Sequence, residues 1–184
     1  MEKIIPFYTP IWRFTSPINM DTYLQKCLEM ESNDGVYVSN KGGYQSQSFL
    51  KDEFKNNFYE IYNFVIDSVN AIGKDTESEY ELESAWVNIN RKNNWNANHI
   101  HSQSSISGCV YLKTNPDSGK IVFENPTPSI HYNINKSIDG FFGIYWRLPI
   151  VGELIIFPSY LHHCVEPNNS EDIRVSIAFN CNRV

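Results

Sequence analysis

Nowhere in this chain do about 18 apolar residues run consecutively. None of its four cysteines pairs with another as Cys-x-x-Cys, and no cluster of Lys or Arg interrupts a formal charge of −6. The first absence excludes a membrane-spanning helix. The N-terminus Met1-Glu2-Lys3-Ile4-Ile5-Pro6-Phe7-Tyr8 also lacks the long apolar run of a signal peptide, so the expectation is a soluble, cytoplasmic protein. Cys27, Cys109, Cys164 and Cys181 are far apart, which favours reduced thiols over a disulfide framework. At 184 residues the chain can bury a core without such staples and is expected to form one domain. The missing basic cluster argues against nucleic acid as a partner, because non-specific phosphate binding is cation-driven; a local basic groove stays open. Histidine is scarce too, five in all, yet three of the five fall into one pattern.

Aromatic residues reach 14% of the chain, enough for a β-rich core. Residues 1 to 15 alternate weakly around two prolines and read as an extended segment or edge strand. Asp21 to Glu31 reads as a helix with Leu24, Cys27 and Leu28 on one stripe. A longer helix is predicted from Phe49 to Ala71, where Phe54, Phe58, Ile61, Phe64, Val65 and Val69 recur at three- and four-residue steps. After Gly73 the period changes to two. Strands are predicted over Leu82–Asn90, Ile106–Lys113, Lys120–Phe123, Gly143–Leu148, Glu153–Phe157 and Ile173–Cys181. Helices followed by a run of short strands describe an α+β, mainly β chain: residues 1–75 brace a sandwich or barrel built from 76–184.

His99-Ile100-His101 carries the chemistry. Residues two apart on a strand face the same side, so both imidazoles can enter one cavity while Ile100 faces away. His163, in Phe157-Pro158-Ser159-Tyr160-Leu161-His162-His163-Cys164, follows a turn from a distant strand and supplies a third metal ligand. Its neighbours His162 and Cys164 would face the other way, with Cys164 as a small buried hydrophobe. His131 keeps a surface role in a proline-rich loop. Three protein ligands leave up to three positions of an octahedral ion for water, a bidentate co-substrate and O2. On the last strand Val175, Ile177 and Phe179 form one face, and Arg174, Ser176, Ala178 and Asn180 the other. An arginine aimed into a barrel needs an anion to meet it, and a carboxylate offers paired, charge-assisted bonds. The alternative is a surface arginine paired with Glu171 or Asp172.

These residues stand in an ordered set: Trp86-Val87-Asn88-Ile89-Asn90, His99-x-His101, Ser107-Gly108-Cys109-Val110-Tyr111-Leu112 and Val122-Phe123-Glu124-Asn125-Pro126. It continues with Pro149-x-x-Gly152-Glu153-Leu154-Ile155-Ile156-Phe157-Pro158-Ser159, His163-x-Val165-x-Pro167 and Arg174-x-Ser176. Over roughly residues 80 to 182 the chain resembles the iron(II)- and 2-oxoglutarate-dependent dioxygenases, in particular their prolyl-4-hydroxylase-like branch. The resemblance implies a double-stranded β-helix, or jelly roll, with Fe(II) held by His99, His101 and His163. It implies that Arg174 pairs with the far carboxylate of 2-oxoglutarate, helped by Ser176, Tyr111, Asn90 and Asn88. It further implies a hydroxylase that consumes O2 and releases succinate and CO2, acting on a small-molecule or peptide substrate such as a prolyl or other amino-acid side chain.

One position departs from the family pattern. The second ligand is usually a carboxylate, and here His101 holds its place, leaving the site one negative charge poorer. Glu124 is an alternative ligand from a neighbouring segment. Two other readings remain: a cupin, which also uses His-x-His but would need a glutamate where Ser104 and Ser105 stand, and a metal-binding barrel without turnover. Residues 127–140 are either a lid or a passive loop. Oligomeric state is left open, with a homodimer among the options.

Overall fold

The computed structural model describes residues 9–127 and 143–184. His131 and nearly all of the 127–140 loop lie outside the described residues, as does most of the extended N-terminal segment.

Eleven strands and three helices make up the described chain. Strands β1 (Trp12–Thr15), β3 (Tyr44–Gln45), β4 (Tyr80–Asn90), β6 (Ile106–Lys113), β9 (Glu153–Pro158) and β11 (Arg174–Arg183) form a six-stranded sheet in the order β1-β9-β6-β11-β4-β3. A five-stranded sheet runs β2 (Asn40–Lys41), β5 (Trp95–His99), β10 (His163–Val165), β7 (Ile121–Glu124), β8 (Ile144–Arg147). Every strand pairing is antiparallel. Strand β1, flanked by Pro10 and Pro17, lies at an edge of the sheet, where a nearby proline interrupts no second ladder.

The large sheet is buried on both sides for different reasons. Ala85, Val87 and Ile89 of β4, and Val175, Ile177 and Phe179 of β11, turn toward the helices α1 (Asp21–Met30), α2 (Lys51–Asn57) and α3 (Tyr59–Asp75). There they join Phe54, Phe58, Ile61, Val65, Val69 and Ile72 in the main core. The intervening residues face the second sheet. Tyr111, Ile121, Phe123, Ile155, Phe157 and Leu161 make a smaller core between the sheets, and the pocket lies beside it.

Three expectations need correction. The long helix is two: it breaks at Phe58, whose φ of −138° and ψ of 52° leave the helical region. Phe58 instead enters an aromatic cluster, 5.7 Å from Phe54 and 5.8 Å from both Phe49 and Tyr23, and Lys26 caps the freed carbonyl of Asn57 at 3.0 Å. Phe49 itself bridges to Ala85 in extended conformation. Secondly, residues 1–75 do more than brace the sheets, since β1, β2 and β3 are part of them. Thirdly, β5 stops at His99, so His101 lies beyond the strand rather than on it.

Candidate metal centre and co-substrate pocket

The inner face of the large sheet is laid out in rows by strand register. Arg174 lies opposite Asn90; Ser176 lies between Asn88 and Tyr111; Ala178 lies between Trp86 and Cys109. All eight line one pocket. Arg174 is only 2% exposed. Its Nη1 donates to the main-chain carbonyls of Ser118 and Glu166, whereas its buried Nη2 has no partner among the described residues. The expected surface partners are engaged elsewhere, Asp172 with Lys113 at 2.7 Å and Glu171 with Lys92. Burial draws the guanidinium down to about 10, which still leaves it charged at neutral pH. A buried cation with an unused donor calls for an anionic acceptor, and a carboxylate suits that fork. Burial also pushes the Tyr111 phenol well above its ordinary range, so Tyr111 is a neutral donor.

The three histidines come from the opposite wall and the loop above it. His99 pairs with His163 across β5 and β10, but Asn96 pairs with Val165, so three steps on β5 match two on β10. That bulge puts Asn96 and His99 on one face, a re-aiming typical of bulges beside functional sites. His99 Nδ1 lies 2.7 Å from the Ala97 carbonyl and His163 Nδ1 lies 2.9 Å from the Leu161 carbonyl. A carbonyl can only accept, so both rings carry their proton on Nδ1 and leave Nε2 free to bind a metal. His101 completes the group: each ring offers a nitrogen within 4.8 Å of the others'. It stacks on Trp86 at 5.7 Å and on His163 at 5.2 Å.

Burial lowers the pKa of all three imidazoles, to about 4 for His101 and about 3 for His163. All are neutral at physiological pH, the form a metal requires. Phe157 and Phe123, with ring centres 4.6 and 6.0 Å from His163, give the centre an apolar flank. Imidazoles with fixed free nitrogens on one wall, and an anion-seeking arginine in the same pocket, fit a metal and a dicarboxylate co-substrate together.

The sequence profile of the family described as "Putative 2OG-Fe(II) oxygenase" matches residues 84–180, just over half of the chain. The chain belongs to this family. The cupin reading, which leaves Arg174 without a role, falls away. The chain is similar in fold to HygX from Streptomyces hygroscopicus, solved with nickel and 2-oxoglutarate bound (TM-score 0.63, 14% identity, 95% of this chain and 83% of that one). It is equally similar to a viral collagen prolyl hydroxylase from Paramecium Bursaria Chlorella virus-1 (0.63, 14%, 95% and 96%). A 2OG-Fe(II) oxygenase family protein from Burkholderia pseudomallei matches less completely (0.53, 16%, 67% of this chain), and the chain spans 55% of that relative's length. No curated protein matches the chain.

His99, His101, His163, Arg174, Tyr111, Ser176, Asn90 and Asn88 therefore meet in one pocket, although they come from five separate segments. Glu124 does not join the histidines; it is exposed and accepts from Asn98 Nδ2 at 2.7 Å. His162 is exposed, as its opposite direction predicts, and Cys164 is half-buried rather than buried. Two residues of the lining escaped sequence reasoning: Ser39, ahead of β2, and Asn96, which donates to Ser39 Oγ at 3.2 Å. Asn96 has the wrong parity for an inward residue, and only the bulge brings it in. Among the described residues no helix is long and apolar enough to cross a membrane.

Proposed function

We propose that the chain is a single-domain, double-stranded β-helix hydroxylase in which His99, His101 and His163 hold Fe(II), and Arg174, Tyr111, Ser176, Asn90 and Asn88 seat 2-oxoglutarate. The observation that carries this reading is the unpaired, buried Nη2 of Arg174 in the same pocket as three neutral imidazoles. When bound, Fe(II) and 2-oxoglutarate supply an oxidation by O2 that releases succinate and CO2 and inserts one oxygen atom into a substrate C–H bond.

The chain's own residues bind, orient and exclude. Arg174 gives the co-substrate a charged anchor whose direction is fixed by two carbonyls, and Tyr111 and Ser176, paired on adjacent strands, add hydroxyl donors beside it. Ala97 and Leu161 hold the rings of His99 and His163 in the required tautomer. Phe123 and Phe157 keep water from one side of the centre. The substrate is a small molecule or a peptide, and likeness to prolyl hydroxylases makes a prolyl or other amino-acid side chain the first to screen. Free thiols throughout suit the cytoplasm.

His101 favours a second reading, a barrel that binds both cofactors without turnover, because three neutral ligands leave the ion's charge less compensated. Anaerobic titration of the metal-free protein with Fe(II) and then 2-oxoglutarate tests the first reading through the visible band of the chelate. The native chain should develop the band, and His163→Ala and Arg174→Ala should lose or weaken it. Iron binding without a band would sink the oxygenase site as drawn. Succinate release on admitting O2 separates turnover from the inert barrel.

A further inference from the structure

His101 is the ligand that no strand holds. His99 and His163 lie on paired strands, each ring tied to a carbonyl two residues back; no hydrogen bond from the described residues reaches the ring of His101. Its placement depends on its backbone. His101 N donates to the Ser159 carbonyl at 2.9 Å, and Ser159 N donates to the Ser105 carbonyl at 3.1 Å, so the main chain of Ser159 brackets both ends of segment 101–105. Between them Ser104 N closes a turn on the His101 carbonyl at 3.2 Å.

What holds Ser159 is therefore what sets His101. The β6–β9 ladder ends at Ile106 opposite Pro158, and proline has no N–H to give it. Side chains take over from there. Ser159, fully buried, places its Oγ 2.7 Å from Ser107 Oγ, and Ser107 Oγ donates to Asn180 Oδ1 at 2.8 Å. A hydroxyl has one proton, so with Ser107 donating to Asn180 it must accept from Ser159. The chain of bonds runs Ser159 to Ser107 to Asn180, across three neighbouring strands or their ends, β9, β6 and β11.

We propose that this buried Ser159–Ser107–Asn180 chain is a positioning device for His101, fixing the third metal ligand through the backbone of Ser159. The inference rests on the reading of His101 as a ligand. Ser107 is the central link: Ser107→Ala removes both the acceptor of Ser159 and the donor to Asn180, whereas Ser107→Thr keeps the hydroxyl. Residues that orient metal ligands usually change affinity by about 10- to 100-fold when removed.

The test uses Co(II) as probe, recording its dissociation constant and the visible spectrum of the bound ion in the full chain. Ser107→Ala should weaken Co(II) by about tenfold or more and alter the spectrum, and Ser107→Thr should restore both. In a His101→Ala background, Ser107→Ala should cost no further affinity, because the ligand it positions is gone. Ser159→Ala, which leaves the Ser107–Asn180 bond in place, should act in the same direction by less and serves if Ser107→Ala folds poorly. Native affinity and spectrum in Ser107→Ala, with only a lower melting temperature, would overturn the proposal in favour of a structural role. So would an equal loss in the His101→Ala background, which would mean the chain supports the pocket at large. Native affinity in His101→Ala alone would instead remove the ligand reading, and this proposal with it.

Discussion

Arg174 shows how one side chain can declare a ligand. Its charge survives burial, two of its bonds go to carbonyls that cannot neutralise it, and one nitrogen is left over. Lysine would retain the charge but not the planar fork. Arg174→Lys should therefore weaken 2-oxoglutarate by at least about tenfold, as expected for losing one good charge-assisted bond, while Fe(II) binding alone stays native; the chelate titration reports both. The histidines make the opposite statement, since burial keeps them uncharged. Their pKa values in the folded chain lie below the ordinary value of about 6.5, so the unfolded chain takes up protons first as pH falls. Folding stability of the metal-free protein must then fall as pH drops below about 6.5, toward the depressed values near 4 and 3. Above that range these groups add no slope. Melting temperatures between pH 7 and 5 should decline more steeply for the native chain than for His101→Ala/His163→Ala, and parallel slopes would show that the imidazoles are not the source.

Arg174 is aimed by a turn as much as by its own strand. Gly119, with φ of +80°, follows Ser118, and a Cβ there would come within 2.3 Å of the Glu166 carbonyl and 2.7 Å of that of Pro167. Only glycine lets the turn close so that Ser118 and Glu166 both reach Nη1. Gly119→Ala should cost about 1–2 kcal/mol from the left-handed backbone alone and should weaken 2-oxoglutarate more than Fe(II). Equal losses of both in the same titration would mean that the whole pocket has shifted. The same distinction separates what could be read from the sequence and what could not. Period-two alternation located β4, β6, β9 and β11 and put Arg174, Ser176 and Ala178 on one face, because a strand's parity is written in its residues, whereas Asn88, Asn90 and Tyr111 were named through the family resemblance alone. Parity failed at β5, where the bulge that admits Asn96 depends on pairing with β10. Two-residue strands such as β2 and β3 carry no period at all, which hid Ser39. The break at Phe58 was hidden for another reason: Phe58 fits the apolar stripe of one long helix, and the aromatic cluster that claims it is assembled from distant segments.

Strands β4 and β11 serve both halves of the protein, giving alternate residues to the helix-covered core and to the pocket. Occupying the pocket should therefore stabilise the fold it shares strands with. A ligand at one hundred times its dissociation constant adds about 2.7 kcal/mol, which for a chain of this size is roughly 5–10 °C in melting temperature. Ni(II), which avoids oxidation by air, should raise the melting temperature of the native chain, and 2-oxoglutarate should raise it again; Arg174→Ala should keep the first increment and lose the second. Phe58 tests the converse, since it is fully buried in the helix-side core and does not line the pocket. Phe58→Ala should cost about 3–5 kcal/mol by cavity formation and lower every melting temperature, yet leave the Ni(II) and 2-oxoglutarate increments near their native size. If those increments shrink with it, the helical layer does more than cover the sheet: it holds the strands at the spacing the metal and co-substrate need.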